Sequence, residues 1–247
     1  MRELEGKTVV VIGGSAGIGY ATAEMAALDG ARLVIAARGK ERLEAAATRL
    51  AALAGERVRS RVLDVARRDE VRAFLAEHAP FDHLVLPGST VQRMQFDALD
   101  ESRARTFFDS KFWGPFWAAY DARERMSRGG SIVFYSGAAS RRPLRGYVVG
   151  AAVDGAIDAL TRSLAWEFGR YGLRVNCVSP GIIDTEMVKH GRTKEEYDAW
   201  VKEQSARVPL GRLGLPEECA KGAIYLMTNE FVTGVVLAID GGAESAA

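Results

Sequence analysis

Four glycines fall within seven residues at Gly13-Gly14-Ser15-Ala16-Gly17-Ile18-Gly19. Without a Cβ the backbone can turn sharply and let a bulky anion approach closely. The apolar run Thr8-Val9-Val10-Val11-Ile12 ahead of the turn reads as a buried strand. Residues 18–29 after it have helical periodicity and stop at Gly30. Strand, glycine turn and helix in that order present free N–H groups and a positive dipole end to a pyrophosphate. The segment predicts a dinucleotide site, with Gly13, Ser15, Ala16, Gly17, Ile18 and Gly19 against the phosphates.

The end of the second strand selects the nucleotide. An acidic side chain there would accept bonds from an adenosine ribose; this chain has Ala36-Ala37-Arg38. A small residue followed by a guanidinium leaves room for a 2′-phosphate and supplies a bidentate partner. The expected cofactor is NADP(H), with Arg38 on the phosphate. Asp64-Val65 follows the third strand and has two readings: contact with the adenine edge, or a cap on the next helix.

These residues need a scaffold. Strand patterns at 8–12, 32–37, 57–63, 83–86, 131–135, 174–178 and 235–239 alternate with helical patterns at 18–29, 41–53, 69–78, 102–127, 148–168 and 216–227. Strands apolar on both faces and separated by helices imply an α/β fold, a Rossmann-like, doubly wound parallel sheet of about seven strands with helices on both faces. No repeat or linker divides the chain, so residues 1–247 read as a single domain. With 48% hydrophobic residues, 26% charged residues and a net charge of +1, nothing global argues for nucleic acid. No apolar run reaches the ~18–20 residues that span a bilayer, and Met1-Arg-Glu-Leu-Glu-Gly-Lys lacks the apolar core of a signal peptide. Two widely spaced cysteines fit a reducing cytoplasm and no disulfide framework. His78 and His83 lack metal-ligand spacing, so no metal is expected.

Over nearly its whole length the chain resembles the short-chain dehydrogenase/reductase family. Besides the glycine turn and Asp64-Val65, the resemblance rests on Arg174-Val175-Asn176-Cys177-Val178-Ser179-Pro180-Gly181, on Ala159-Leu160-Thr161-Arg162-Ser163-Leu164-Ala165, and on Thr233-Gly234 with Asp240-Gly241-Gly242. It implies that Pro180, Gly181, Ile183 and Thr185 hold the nicotinamide end, and that 186–207 form a variable substrate lid. It also implies a dimer or tetramer built through the helices at 102–127 and 148–168.

That family works with a serine, a tyrosine thirteen residues later, a lysine four after that, and an asparagine in the helix following the fourth strand. Anchored on Ala159–Ala165, the resemblance puts the lysine position at Asp154, the tyrosine at Gly150, the serine at Gly137 and the asparagine at Lys111. Leu86-Pro87-Gly88-Ser89 stands where the family carries Asn-Asn-Ala-Gly. The resemblance therefore predicts a cofactor site without the usual catalytic side chains.

Lys111 and Asp154 are opposite charges at positions the resemblance brings close. They are candidates for an oxyanion-stabilising or proton-donating pair, or for a structural ion pair filling vacated space. Tyr147, three residues before Gly150, is a candidate proton donor or a pocket-lining residue, and Ser136 a candidate hydroxyl for the substrate or a strand-end serine bonding the backbone. Arg141, Arg142 and Arg145 form either an anion clamp or a solvated loop. Phe107, Phe108, Phe112, Trp113, Phe116, Trp117 and Tyr120 suit a substrate pocket or, better, a core or subunit interface, and Met187, His190, Tyr197 and Trp200 suit substrate contacts or packing within the lid. The expected activity is an NADP(H)-dependent oxidoreductase on a small carbonyl, enone or imine. A non-redox enzyme or an NADP(H)-binding pseudoenzyme on the same scaffold is the alternative.

Overall fold

A computed structural model describes residues 2–87 and 93–245. Seven strands form one parallel sheet in the order β3-β2-β1-β4-β5-β6-β7. They are β1 (Thr8–Ile12), β2 (Arg32–Ala37), β3 (Val58–Val62), β4 (Phe81–Leu86), β5 (Met126–Tyr135), β6 (Arg174–Pro180) and β7 (Val236–Ile239). Successive side chains leave a strand on opposite faces, so apolar runs feed two cores. Val10 and Ile12 of β1 enter one core and Val9 and Val11 the other.

The first core is roofed by α3 (Arg68–Glu77), α4 (Glu101–Phe108), α5 (Gly114–Ala122) and α6 (Val148–Phe168), through Phe74, Phe107, Ala118, Val153 and Ile157. The second is roofed by α1 (Gly17–Leu28), α2 (Lys40–Ala54) and α9 (Pro216–Thr228), through Ala23, Ala26, Leu43, Leu50, Ala223 and Leu226. The order in which strands are added reverses between β1 and β4, and the carboxyl ends of strands at such a point are the usual place for a ligand.

Two elements differ from the sequence expectation. The helix expected over 102–127 is three pieces: α4, a π-helical turn at Asp109–Trp113, and α5. A π turn inserts a residue and re-aims the side chains around it; here it turns Lys111 inward, leaving it 5% exposed. The helix also stops at Ala122, because Met126 pairs with Phe81 and the chain becomes β5. Sheet pairing there overrides the helix-forming residues at 122–125. The segment expected as a lid, 186–207, contains two helices, α7 (Glu186–Lys189) and α8 (Lys194–Ser205). Gly88 and Ser89 lie outside the described residues. No helix among the described residues is long and apolar enough to cross a membrane.

Candidate active site

The glycine turn sits at the carboxyl end of β1. Gly13 and Gly17 have φ of 114° and 53°, values an L side chain rarely adopts. The Gly13 and Gly14 amides donate to the Ala36 carbonyl at 2.7 and 3.2 Å, tying the turn to the end of β2. A Cβ on Gly19 would stand 2.1 Å from the Gly13 carbonyl oxygen and 2.9 Å from Pro87. Helix α1 begins with Ala16 as its cap, has no side-chain cap bond and no acidic residue in its first turn. Its first N–H groups therefore remain available to an anion. Thr185, which caps α7, comes to 3.5 Å of the position a Gly17 Cβ would occupy. A cradle that excludes Cβ atoms and points unclaimed amides outward fits a dinucleotide pyrophosphate.

The other expected cofactor residues surround this edge. Arg38 is exposed just past β2. Asp64 Oδ1 accepts from the Ala66 amide at 3.0 Å, so its side chain closes the loop ahead of α3. Gly181 packs against Asp240, whose Cα would lie 2.8 Å from an added Cβ, and its amide donates to Ile239. Pro180 ends β6. Ile183 is 6% exposed and packs in the second core.

Lys111, Gly137 and Asp154 come together as the sequence suggested. The Lys111 ammonium is 3.9 Å from Asp154 Oδ1, with side chains 6% and 12% exposed. The ammonium also donates to the Ser136 carbonyl at 3.3 Å. Asp154 occupies the space beside Gly137: an added Cβ there would lie 2.7 Å from Oδ2. A carboxylate at 154 and a glycine at 137 are thus one steric arrangement. Burial raises the Asp154 pKa above the ordinary carboxylate value; Lys111 opposes the rise and Asp158 adds to it. At Gly150 the nearest neighbour of an added Cβ among the described residues is Tyr147 Cδ1, at 3.6 Å. Tyr147 caps α6 rather than lying within it, and its ring edge reaches the Gly150 position from outside the helix.

Ser136 is less suited to substrate than its position suggested. Its Oγ is buried without a hydrogen-bond partner among the described residues, close to the Cys177 thiol. Burial pushes that thiol up to about 12. The arginines form neither a free clamp nor a solvated loop. Arg141 binds Asp158, Glu244 and Ser179, and Arg142 donates to the Ala243 and Arg207 carbonyls. Arg145 is exposed and has no such bond among the described residues. The aromatic series divides: Phe107 is buried, while Phe112, Trp113, Phe116, Trp117 and Tyr120 form a continuous edge-and-stack ladder with Trp113 45% exposed. Within 186–207, Tyr197 stacks on Trp200 and donates to Asp184 at 2.7 Å, while Met187 and His190 are exposed. Among the described residues no group of three or more His, Cys, Asp or Glu side chains could hold a metal ion.

The residues that sequence reasoning missed are Asp158 and Glu244. Asp158 lies four residues after Asp154 and shares its helix face, which the spacing alone could have shown. Glu244 bonds Arg141 across 103 residues, a contact that only the fold creates.

A parallel seven-stranded sheet with a glycine cradle at its switch point defines a nucleotide-binding α/β protein. The family model described as enoyl-(acyl carrier protein) reductase matches residues 13–244. A short-chain dehydrogenase/reductase of Stachybotrys chlorohalonatus is 36% identical, covering 98% of this chain and 99% of that protein. A 3-oxoacyl-(acyl-carrier-protein) reductase of Chlamydia muridarum is 33% identical, covering 97% and 98%. Among solved structures, a short-chain dehydrogenase/reductase family protein superposes with a TM-score of 0.88 at 32% identity, covering 99% and 100% of the two chains. The chain belongs to the short-chain dehydrogenase/reductase family of oxidoreductases, whose members bind a nicotinamide cofactor.

Proposed function

We propose that this protein is an NADP(H)-dependent oxidoreductase with a remodelled active site, acting on a small carbonyl, enone or imine. The observation that carries this reading is the Lys111–Asp154 pair beside Gly137, next to a cofactor cradle whose glycines are sterically required. Reductases among the relatives support the redox class.

In this reading the α1 amides hold the pyrophosphate, Arg38 the 2′-phosphate, and Asp64 and Val65 the adenine side. Pro180, Gly181, the Ile183 backbone and Thr185 position the nicotinamide, and the bound cofactor supplies hydride chemistry. Asp154 accepts hydrogen bonds at its free oxygen. Lys111, shielded from water, stabilises negative charge developing near the Ser136 carbonyl. Tyr147 is the second source of a proton, since neither Gly137 nor Gly150 has a side chain to move one. Residues 186–207 cover the substrate, and the aromatic ladder with α6 forms a subunit interface. A non-redox or purely binding role is the second reading, favoured by those same two glycines.

A panel of carbonyl, enone and imine acceptors incubated with NADPH should consume the reduced cofactor with at least one of them. Lys111→Met or Asp154→Asn should change the rate more than Tyr147→Phe. Tight NADPH binding with no turnover on any acceptor would favour the second reading.

A further inference from the structure

The two oxygens of Asp154 have different surroundings. Oδ1 faces the Lys111 ammonium at 3.9 Å, beyond hydrogen-bond length. Oδ2 leans into the space left by Gly137, and no described residue donates to it. A carboxylate this buried ordinarily has its acceptor sites filled. Asp154 keeps 12% of its side chain exposed, twice the figure for Lys111.

Lys111 pairs with Asp154, while Arg141 is shared between Asp158 and Glu244, so both cations are already engaged by carboxylates. The two serine hydroxyls beside Gly137 are turned away from the crevice: Ser136 Oγ is buried near Cys177, and Ser140 Oγ donates to Asp158 and to the Gly137 carbonyl.

From this geometry we propose that the crevice beside Gly137 and Gly150 binds a nitrogen cation, an iminium or tertiary ammonium group, against Asp154 Oδ2. The ligand class holds whether or not the protein is a reductase; that such a cation is the substrate rests on the oxidoreductase reading above. An iminium carbon that gains hydride from a reduced nicotinamide becomes a neutral tertiary amine. Two electrons and one hydrogen are transferred, the cationic charge is cancelled, and no proton has to come from the protein. A site with glycine at 137 and 150 is suited to that balance and poorly suited to reducing a ketone.

The test is calorimetric titration of the protein, with and without NADP+, using two probes of similar shape: 1-methylpiperidinium and 4-methylcyclohexanone. The cation should bind at least tenfold more tightly than the ketone, and Asp154→Asn should bring the ratio to about one. Lys111→Met, read at pH 8, should increase the ratio by removing the competing ammonium, and serves if the Asn variant fails to fold. Affinity for the cation should also rise with pH across the titration of Asp154, because the bound charge favours the ionised carboxylate. The groups facing that carboxylate are Lys111 from the π turn, Asp158 from α6 and Arg141 from the loop after β5. Equal binding of the two probes, or an unchanged ratio in Asp154→Asn, overturns the proposal. So does a variant that loses NADP+ affinity while both probes weaken equally, which would make Asp154 a ribose acceptor only. Cation selectivity without turnover of any iminium would instead leave this site standing and remove the reductase reading.

Discussion

Replacing Lys111 with methionine removes one charge from a pair whose side chains are 6% and 12% exposed and whose charged atoms are 3.9 Å apart. At an effective dielectric of about 20, unit charges at that distance attract by about 4 kcal/mol. Breaking a buried pair by deleting one partner costs about 3–5 kcal/mol, because the other charge is left uncompensated. Methionine fills nearly the same volume, so little of the loss comes from packing. Lys111→Met should therefore lose about 3–4 kcal/mol at pH 7.5, and Asp154→Asn a similar amount by stranding the ammonium. The double variant should cost clearly less than the two single losses together. Burial already raises the Asp154 pKa from its ordinary carboxylate value. Without Lys111 its folded-state value rises further, so the penalty is small below the unfolded value near 4 and grows as pH rises through the folded value. Urea denaturation followed by tryptophan fluorescence at pH 4.5, 6 and 7.5 measures this. A Lys111→Met loss under 1 kcal/mol at pH 7.5, with no growth from pH 4.5, would refute the buried-pair reasoning.

Gly19→Ala should lose about 2–3 kcal/mol by overpacking and abolish measurable NADPH binding, because its Cβ would meet the Gly13 carbonyl oxygen at 2.1 Å; thermal denaturation and calorimetry check both. Burial holds His83 down at about 4, against an ordinary value near 6.5. The unfolded chain then takes up a proton that the folded one refuses, so stability should fall by roughly 3 kcal/mol between pH 7 and pH 4. His83→Gln, keeping a polar partner for Ser131, should flatten that part of the pH profile relative to the parent chain. Arg38→Ala should weaken NADPH by about ten- to hundredfold and leave NADH nearly unchanged, since it removes one charge-assisted contact to a 2′-phosphate; equal weakening of both would place Arg38 outside the phosphate site.

The strands were readable because both faces of the sheet are covered: runs such as Val9-Val10-Val11-Ile12 admit few alternatives. The glycine turn was readable because its neighbours on either side are a strand and a helix. The π turn was missed: the helical reading passed over Pro115, which has no N–H to give the Lys111 carbonyl four residues back, and Gly114, whose added Cβ would stand 2.6 Å from the Val65 carbonyl. Helix α8 had a legible start, the capping box of Thr193 and Glu196, that the substrate-lid reading passed over. The Lys111–Asp154 pair was anticipated by aligning two distant segments. The match between Gly137 and the Asp154 carboxylate, the Arg141 bridge to Glu244 and the burial of Ser136 Oγ depend on how loops close over the sheet, which no local pattern encodes.

The central claim is that hydride passes from NADPH to an organic acceptor in a site without the family's usual proton relay. Its most direct test is to supply NADPH deuterated at the transferring C4 position, together with the acceptor panel, and to weigh the products by mass spectrometry. The account predicts a product heavier by one deuterium, with the iminium acceptors ahead of the ketones. Unlabelled products, or none from any acceptor despite saturating NADPH, would contradict it.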